Sequence, residues 1–178
     1  MRYASIRNLD ISNGEGVGVS LFVQGCDRHC FNCFNSETWN FNGGKEWTEE
    51  VKNKFMELID RPYIRRISIL GGEPLAEQNL DDVLSLVQQI RISFPKKTIW
   101  LYTGYKIEDI FCPYIINQPM TCEQRKRIGI IRYVDILVDG EYIDEQKDLT
   151  LKWRGSKNQR CIDVKQSLAQ NKMVLYCD

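Results

Sequence analysis

Four times along this chain a short β-branched or apolar run ends in residues suited to a loop rather than a strand. Val17-Gly18-Val19-Ser20-Leu21-Phe22-Val23 runs into a cluster of cysteines, and residues 64–70 run into Gly71-Gly72-Glu73-Pro74. Residues 98–103 end at Gly104-Tyr105, and residues 134–138 at Asp139-Gly140. Strands alternating with helices imply parallel pairing through right-handed crossovers, which gathers the loops at the strands' carboxyl ends on one edge of the sheet. The expected fold class is therefore α/β with a parallel sheet. A complete eight-unit barrel needs about 250 residues and this chain has 178, so the expectation is a partial β/α barrel, open along one side.

The segments between the strands carry helical patterning. Thr48 is placed to cap a helix that opens with Glu49 and Glu50, sets Val51, Phe55, Leu58 and Ile59 on one face, and stops at Arg61-Pro62. Asn79 is the expected cap of a second helix, with Val83, Leu84, Val87 and Ile90 as its apolar stripe and Pro95 after it. Residues 106–133 are expected to hold two helices broken near Pro113 and Pro119, and residues 149–153 a further strand.

No repeat or low-complexity linker divides the sequence, so residues 1–178 are expected to form one domain. Lys+Arg and Asp+Glu number 24 each, which removes any general attraction to nucleic acid or to an acidic membrane surface. The first residues lack the apolar core of a signal peptide, and no run approaches the roughly 18 apolar residues of a membrane span. The expected location is the cytoplasm, where thiols stay reduced; seven cysteines there point to metal or redox chemistry before disulfides.

Three of the seven stand in one loop, Cys26, Cys30 and Cys33. A cubane iron-sulfur cluster is normally held by four thiolates, so three would leave one iron open to a small molecule. Zinc with His29 or Cys112 as a fourth ligand and plain buried cysteine are the alternatives that spacing leaves standing. Taken alone, Gly71-Gly72-Glu73-Pro74 reads as an ordinary turn.

Together, "CDRHCFNC" after one strand and "GGEP" after the next resemble the radical S-adenosylmethionine superfamily. That resemblance implies a [4Fe-4S] cluster on Cys26, Cys30 and Cys33, with S-adenosyl-L-methionine chelating the open iron. It implies that Gly71 and Gly72 allow close backbone approach, that Glu73 holds the ammonium of the methionine portion and that Pro74 fixes the turn. An aromatic residue often precedes the third cysteine in the superfamily; Asn32 stands there, so contacts to adenine are expected from the backbone of Asn32, Cys33 and Phe34 and from the Phe34 ring. Residues 12–16, "CFNSETW", "YTGY", "VDILVDGEY" and "WRGSKNQR" look like the activases of anaerobic, class III ribonucleotide reductases. This narrower resemblance implies reductive cleavage of S-adenosylmethionine to a 5′-deoxyadenosyl radical, which makes a glycyl radical on the reductase catalytic subunit. It further implies an electron donor such as a flavodoxin. A pyruvate formate-lyase type activase, a deazaguanine synthase and a zinc-stabilised adaptor are the competing readings.

Weaker candidates complete the reading. Thr103, Tyr105, Asp139 and the Arg154-Gly155-Ser156 turn sit at strand ends and are candidates for cofactor contact. Trp39, Phe41 and Trp47 are read as a docking rim or as core. His29 is read as a loop residue that tunes or shields the cluster rather than as an acid-base catalyst. Cys112, Cys122, Cys161 and Cys177 are read as free cysteines, and Arg125-Lys126-Arg127 as a solvated helix face.

Overall fold

The computed structural model describes residues 1–115 and 119–177, without the side chains of 112–115, so the Cys112 thiol lies outside the described residues. Among the described residues eight strands form one sheet: β1 (Arg2–Asp10), β2 (Gly18–Val23), β3 (Lys45–Glu46), β4 (Arg66–Gly71), β5 (Thr98–Tyr102), β6 (Ile136–Asp139), β7 (Arg160–Asp163) and β8 (Leu175–Cys177). Their order is β3-β1-β2-β4-β5-β6-β7-β8. The four central strands β2, β4, β5 and β6 are parallel, whereas the pairs at both edges are antiparallel. The sheet is thus mixed, where a parallel one was expected. Strand β1, which the sequence reading passed over, is the reason at one edge: the seven residues between it and β2 return the chain alongside and are too few for a crossover.

Register decides what each face of the sheet carries. Leu21, Ile69, Leu101, Leu137 and Ile162 pair across five strands, and Val19, Ile67 and Ile99 form the row below. Because side chains alternate along a strand, these rows share one face, and the helices pack there. Helices α1 (Glu49–Asp60), α2 (Leu80–Ser93), α3 (Ile107–Ile115), α4 (Cys122–Tyr133) and α5 (Val164–Gln170) all contribute to that core, through Phe55, Val87, Ile110, Ile131 and Val164 among others. The opposite face carries Ser20, Ser68, Trp100 and Ile136 in one row, with Arg66 below and Phe22, Leu70, Tyr102, Val138 and Cys161 above.

Local signals hold for α1, whose Thr48 Oγ1 accepts from Val51 N at 3.3 Å and which ends at Arg61. The α2 stripe holds at Val83, Val87 and Ile90, with Leu80 and Leu86 buried beside them. Three details differ. Asn79 does not cap α2 with its side chain, which reaches elsewhere. Helix α3 continues through Pro113 to Ile115. Residues 149–153 are turns rather than a strand, since Asp148 Oδ1 accepts from Thr150 N and Trp153 adopts the left-handed conformation with φ of 59°.

Buried charge anchors the helix-free face. Arg66 is fully buried and donates to the Asp10 carbonyl at 2.7 Å, the Asp10 carboxylate at 3.2 Å and the Asn13 carbonyl at 2.5 Å. Gly14, with φ of 127°, leaves the room this guanidinium needs: a Cβ there would lie 2.5 Å from Arg66 Cδ. Burial alone would raise the Asp10 carboxyl, but donors from Asn13, Ser12 and Arg66 hold it at about 2. Among the described residues, no helix is long and apolar enough to cross a membrane.

Candidate metal centre and cofactor cavity

At the carboxyl ends of the parallel strands lies a cavity of about 510 Å³ lined by Cys26, Cys30, Cys33, Phe34, Gly71, Gly72 and Glu73 together with Thr103, Gly104, Arg154 and Gly155. That volume falls within the ordinary range for nucleoside-sized ligands. Of the expected site residues, Asn32 and Pro74 are not in the lining.

The cysteine loop is shaped by its own backbone. Gly25 N donates to the Thr38 carbonyl at 2.7 Å and Cys26 N to the Trp39 carbonyl at 3.1 Å, which returns residues 34–41 beneath the loop. Gly25, with φ of 93°, leaves room for the Phe41 ring, 2.0 Å from where a Cβ would stand. Asn32 has φ of 53°, a conformation that asparagine adopts far more readily than an aromatic residue does. Its side chain donates to Asp144 at 2.9 Å, away from the cavity.

The three thiols are half-buried, and backbone donors face each of them: Arg28 and His29 toward Cys26, Tyr142 toward Cys30, and Asn35 N at 3.4 Å from Cys33 Sγ. Burial pushes the Cys26 thiol up to about 11 and raises Cys30 as well, so a metal taken up there displaces protons. Among the described residues no group of three His, Cys, Asp or Glu is gathered tightly enough for a single metal ion. Sulfur ligands, N–H donors to sulfur and a bordering cavity fit an iron-sulfur cluster.

The glycine turn is stitched to the cysteine loop. Gly72 N donates to the Val23 carbonyl at 2.9 Å and Glu73 N to the Gly25 carbonyl at 2.8 Å; a Cβ on Gly72 would sit 2.4 Å from Gly25 O. The close approach that these glycines permit is therefore, in the first place, between two loops of the protein. Asn79 Nδ2 adds a brace to the Gln24 carbonyl at 3.1 Å and the Glu73 carbonyl at 3.0 Å.

Glu73 is the buried carboxylate of the site. Its Oε1 accepts from Leu75 N at 2.9 Å and Thr103 Oγ1 at 2.7 Å, and its Oε2 from Gly104 N at 2.7 Å. A carboxylate offers about four lone-pair positions, so one is left on Oε2. Burial raises its pKa, opposed by those three donors and by Arg28. Arg28 lies 3.8 Å from the centroid of Tyr105 and bonds Glu141 at 3.0 Å; Arg127 flanks the same ring at 4.7 Å and donates to the Leu75 carbonyl at 2.9 Å. Arg127 is thus part of the scaffold behind the site rather than a solvated cation.

The weaker candidates divide. Thr103, Arg154 and Gly155 line the cavity. Asp139 is fully buried and bonds Ile107 N at 2.9 Å and the Arg160 guanidinium, which in turn grips Glu108. His29 stacks on Trp39 with ring centroids 4.7 Å apart. Trp47 packs edge-on against Tyr3 and Phe55, and Phe41 fills the space over Gly25, so neither forms an exposed rim. Apolar groups that do project include Phe31, Phe34 and Leu149, at 72%, 54% and 82% exposed. Sequence reasoning read Asn79 as a helix cap instead of this brace and missed the Asp10–Arg66 pair, because a tertiary brace leaves no periodic signal.

Comparison with known proteins matches residues 12–162 to the family described as a 4Fe-4S single cluster domain. The chain is 37% identical over 161 residues to a protein of Salmonella typhimurium, covering 89% of this chain and 96% of the relative, and that protein is named anaerobic ribonucleoside-triphosphate reductase-activating protein. Proteins of the same name from Escherichia coli K12 and Enterobacteria phage T4 are 36% and 38% identical, with coverage of 89% and 90% of this chain and 96% and 92% of theirs.

Proposed function

Starting from a chain that belongs to the family of anaerobic ribonucleoside-triphosphate reductase-activating proteins, we propose that it makes the glycyl radical of its own reductase, using a [4Fe-4S] cluster and S-adenosylmethionine bound in the cavity. The observation that carries this reading is that Cys26, Cys30 and Cys33 and the Gly71-Gly72-Glu73 turn open onto one space. When bound, the cluster supplies one electron to the sulfonium, giving methionine and a 5′-deoxyadenosyl radical that takes a hydrogen atom from a glycine of the reductase catalytic subunit.

The protein's own part is holding and orienting. Cys26, Cys30 and Cys33 would hold the cluster through their thiolates, and three ligands would leave one iron for the amino and carboxylate groups of the methionine portion. Glu73, fixed by Leu75, Thr103 and Gly104, offers its remaining lone pair to the ammonium without having to reorganise. Phe34 presents a half-exposed ring backed by Tyr142 at 5.1 Å, a flat surface for adenine beside the backbone of Asn32 and Cys33. Pro74, buried, stiffens the turn. In this reading the mixed sheet is the partial barrel of the radical S-adenosylmethionine type, residues 1–178 act as one domain in the cytoplasm, and a one-electron donor such as a flavodoxin reduces the cluster.

The test is anaerobic reconstitution with iron and sulfide, then addition of dithionite, S-adenosylmethionine and the reductase subunit. The expected result is 5′-deoxyadenosine together with a glycine-centred doublet in the electron spin resonance spectrum, both lost in Cys26→Ala, Cys30→Ala and Cys33→Ala. One equivalent of zinc without iron or sulfide would overturn the reading.

A further inference from the structure

Cys161 and Cys177 lie outside the cysteine motif and outside the cavity lining. They face each other across the antiparallel pair of β7 and β8. Antiparallel partners have Cα atoms about 4.5–5.5 Å apart, within the roughly 4.4–6.8 Å that a disulfide spans, and the register slips by one residue just beyond this pair, between Cys161 and Ile162. Cys161 is fully buried against Trp100 and Val138, whereas Cys177 is partly exposed. Cys161 Sγ approaches the Lys152 carbonyl at 3.9 Å.

The element that carries Cys177 is held lightly. Strand β8 has three residues and sits at the sheet edge with β7 as its neighbour. Ahead of it, Asp163 N donates to the Val174 carbonyl at 2.9 Å and Val174 N to Ser167 Oγ at 2.9 Å. Its Tyr176 ring leans on Trp100 at 5.4 Å and on Trp153 at 6.0 Å, and Trp153 belongs to the cavity wall. A short edge strand of this kind contributes little pairing energy of its own.

We propose that Cys161 and Cys177 form a reversible intrachain disulfide, made by exchange with a small disulfide of the glutathione type, which fastens β8 to β7 and so braces the Trp153 side of the cavity. The Cys177 thiolate, the more accessible of the two, attacks one sulfur of glutathione disulfide and releases the first glutathione as its thiolate. Cys161 then gives up its proton and displaces the second glutathione from Cys177. In sum, two protein thiols and one glutathione disulfide yield one protein disulfide and two glutathione thiols. The protein loses two electrons and glutathione gains them. Burial holds the Cys161 thiol protonated, which marks Cys177 as the entering nucleophile.

The test uses the full chain with its cluster assembled without air, equilibrated against mixtures of oxidised and reduced glutathione, quenched in acid, alkylated and digested with trypsin without reductant. Tryptic cleavage places Cys161 in residues 161–165 and Cys177 in residues 173–178, so only a disulfide joins those peptides. The expected product is that joined pair, reversed by dithiothreitol, absent from Cys177→Ser and retained in Cys122→Ser. Cleavage of the native oxidised protein at Lys172 is expected to slow at least tenfold. Recovery of Cys177 mainly as a glutathione adduct, or joined to another cysteine, overturns the proposal. So does a joined pair that leaves the cleavage rate unchanged, or two free thiols in fully oxidised glutathione. Wild-type protein alone decides these outcomes, whether or not Cys161→Ser folds.

Discussion

The two faces of the sheet are built from alternate residues of the same strands and could hardly differ more in chemistry. One face is a continuous field of Val, Leu and Ile under helices; the other holds Arg66, Ser68, Ser20 and Tyr102 and leads up to the cavity. The helix-covered face needs only apolar fit. The opposite face needs a partner for every polar atom, and Ser20 Oγ, Tyr102 Oη and Arg66 Nε have none among the described residues. Stability and chemistry are thereby divided by the pleat, with the first concentrated on one side and the second permitted on the other.

Substitutions on the two faces test that division. The largest loss is expected from Arg66→Met, which takes the buried cation away from Asp10 and leaves that carboxylate its Ser12, Asn13 and Arg7 partners: about 3–5 kcal/mol by chemical denaturation. Asp10, with its Asn13, Ser12 and Arg66 donors, sets an acid limit. Asp10 is held at about 2, below its usual 3.8, so it contributes fully above pH 3.8 and its contribution fades as pH falls from there toward 2. In Arg66→Met the acid loss, followed by circular dichroism, begins at higher pH. Next comes Leu101→Ala on the helix-covered face, about 2–5 kcal/mol, with the cysteine loop untouched and cluster content per folded protein unchanged. A loss of cluster in that variant would break the division. Asn79→Ala, which removes the side-chain brace between the Gln24 and Glu73 carbonyls, is expected to cost about 1–3 kcal/mol and to weaken S-adenosylmethionine binding measured by equilibrium dialysis. The smallest effect belongs to Tyr102→Phe, one residue from Leu101: deletion of a hydroxyl with no partner among the described residues should change stability by less than about 0.5 kcal/mol. A loss above 2 kcal/mol there would mean that the hydroxyl has an essential partner.

Much of this organisation was legible in the sequence where it depends on local order. The runs ending at Val23, Leu70, Thr103 and Val138 mark the four parallel strands, and the residues after them mark the cavity mouth, because a strand's end and the loop that follows are written contiguously. The edge strands were not legible. β1 carries Arg2, Arg7, Asn8 and Asp10 among its nine residues and lacks a clean alternation, and β8 is too short to leave a pattern. Trp153 misled because an aromatic residue favours a strand, while its backbone had to turn left-handed beside Trp100, 5.1 Å away. Within the site, the cysteines and Glu73 could be named from their motifs. The Arg28–Tyr105–Arg127 stack and the Asn79 brace join residues far apart in the chain and became visible only on folding.

The alternating rows carry one more consequence. If β4 slid by a single position against β2, Arg66 and Ser68 would be driven beneath the helices while Ile67 and Ile69 came to face the cavity. Mispairing would thus cost a buried cation and the cavity together, so the residues that make room for chemistry also proofread the alignment of the strands around them.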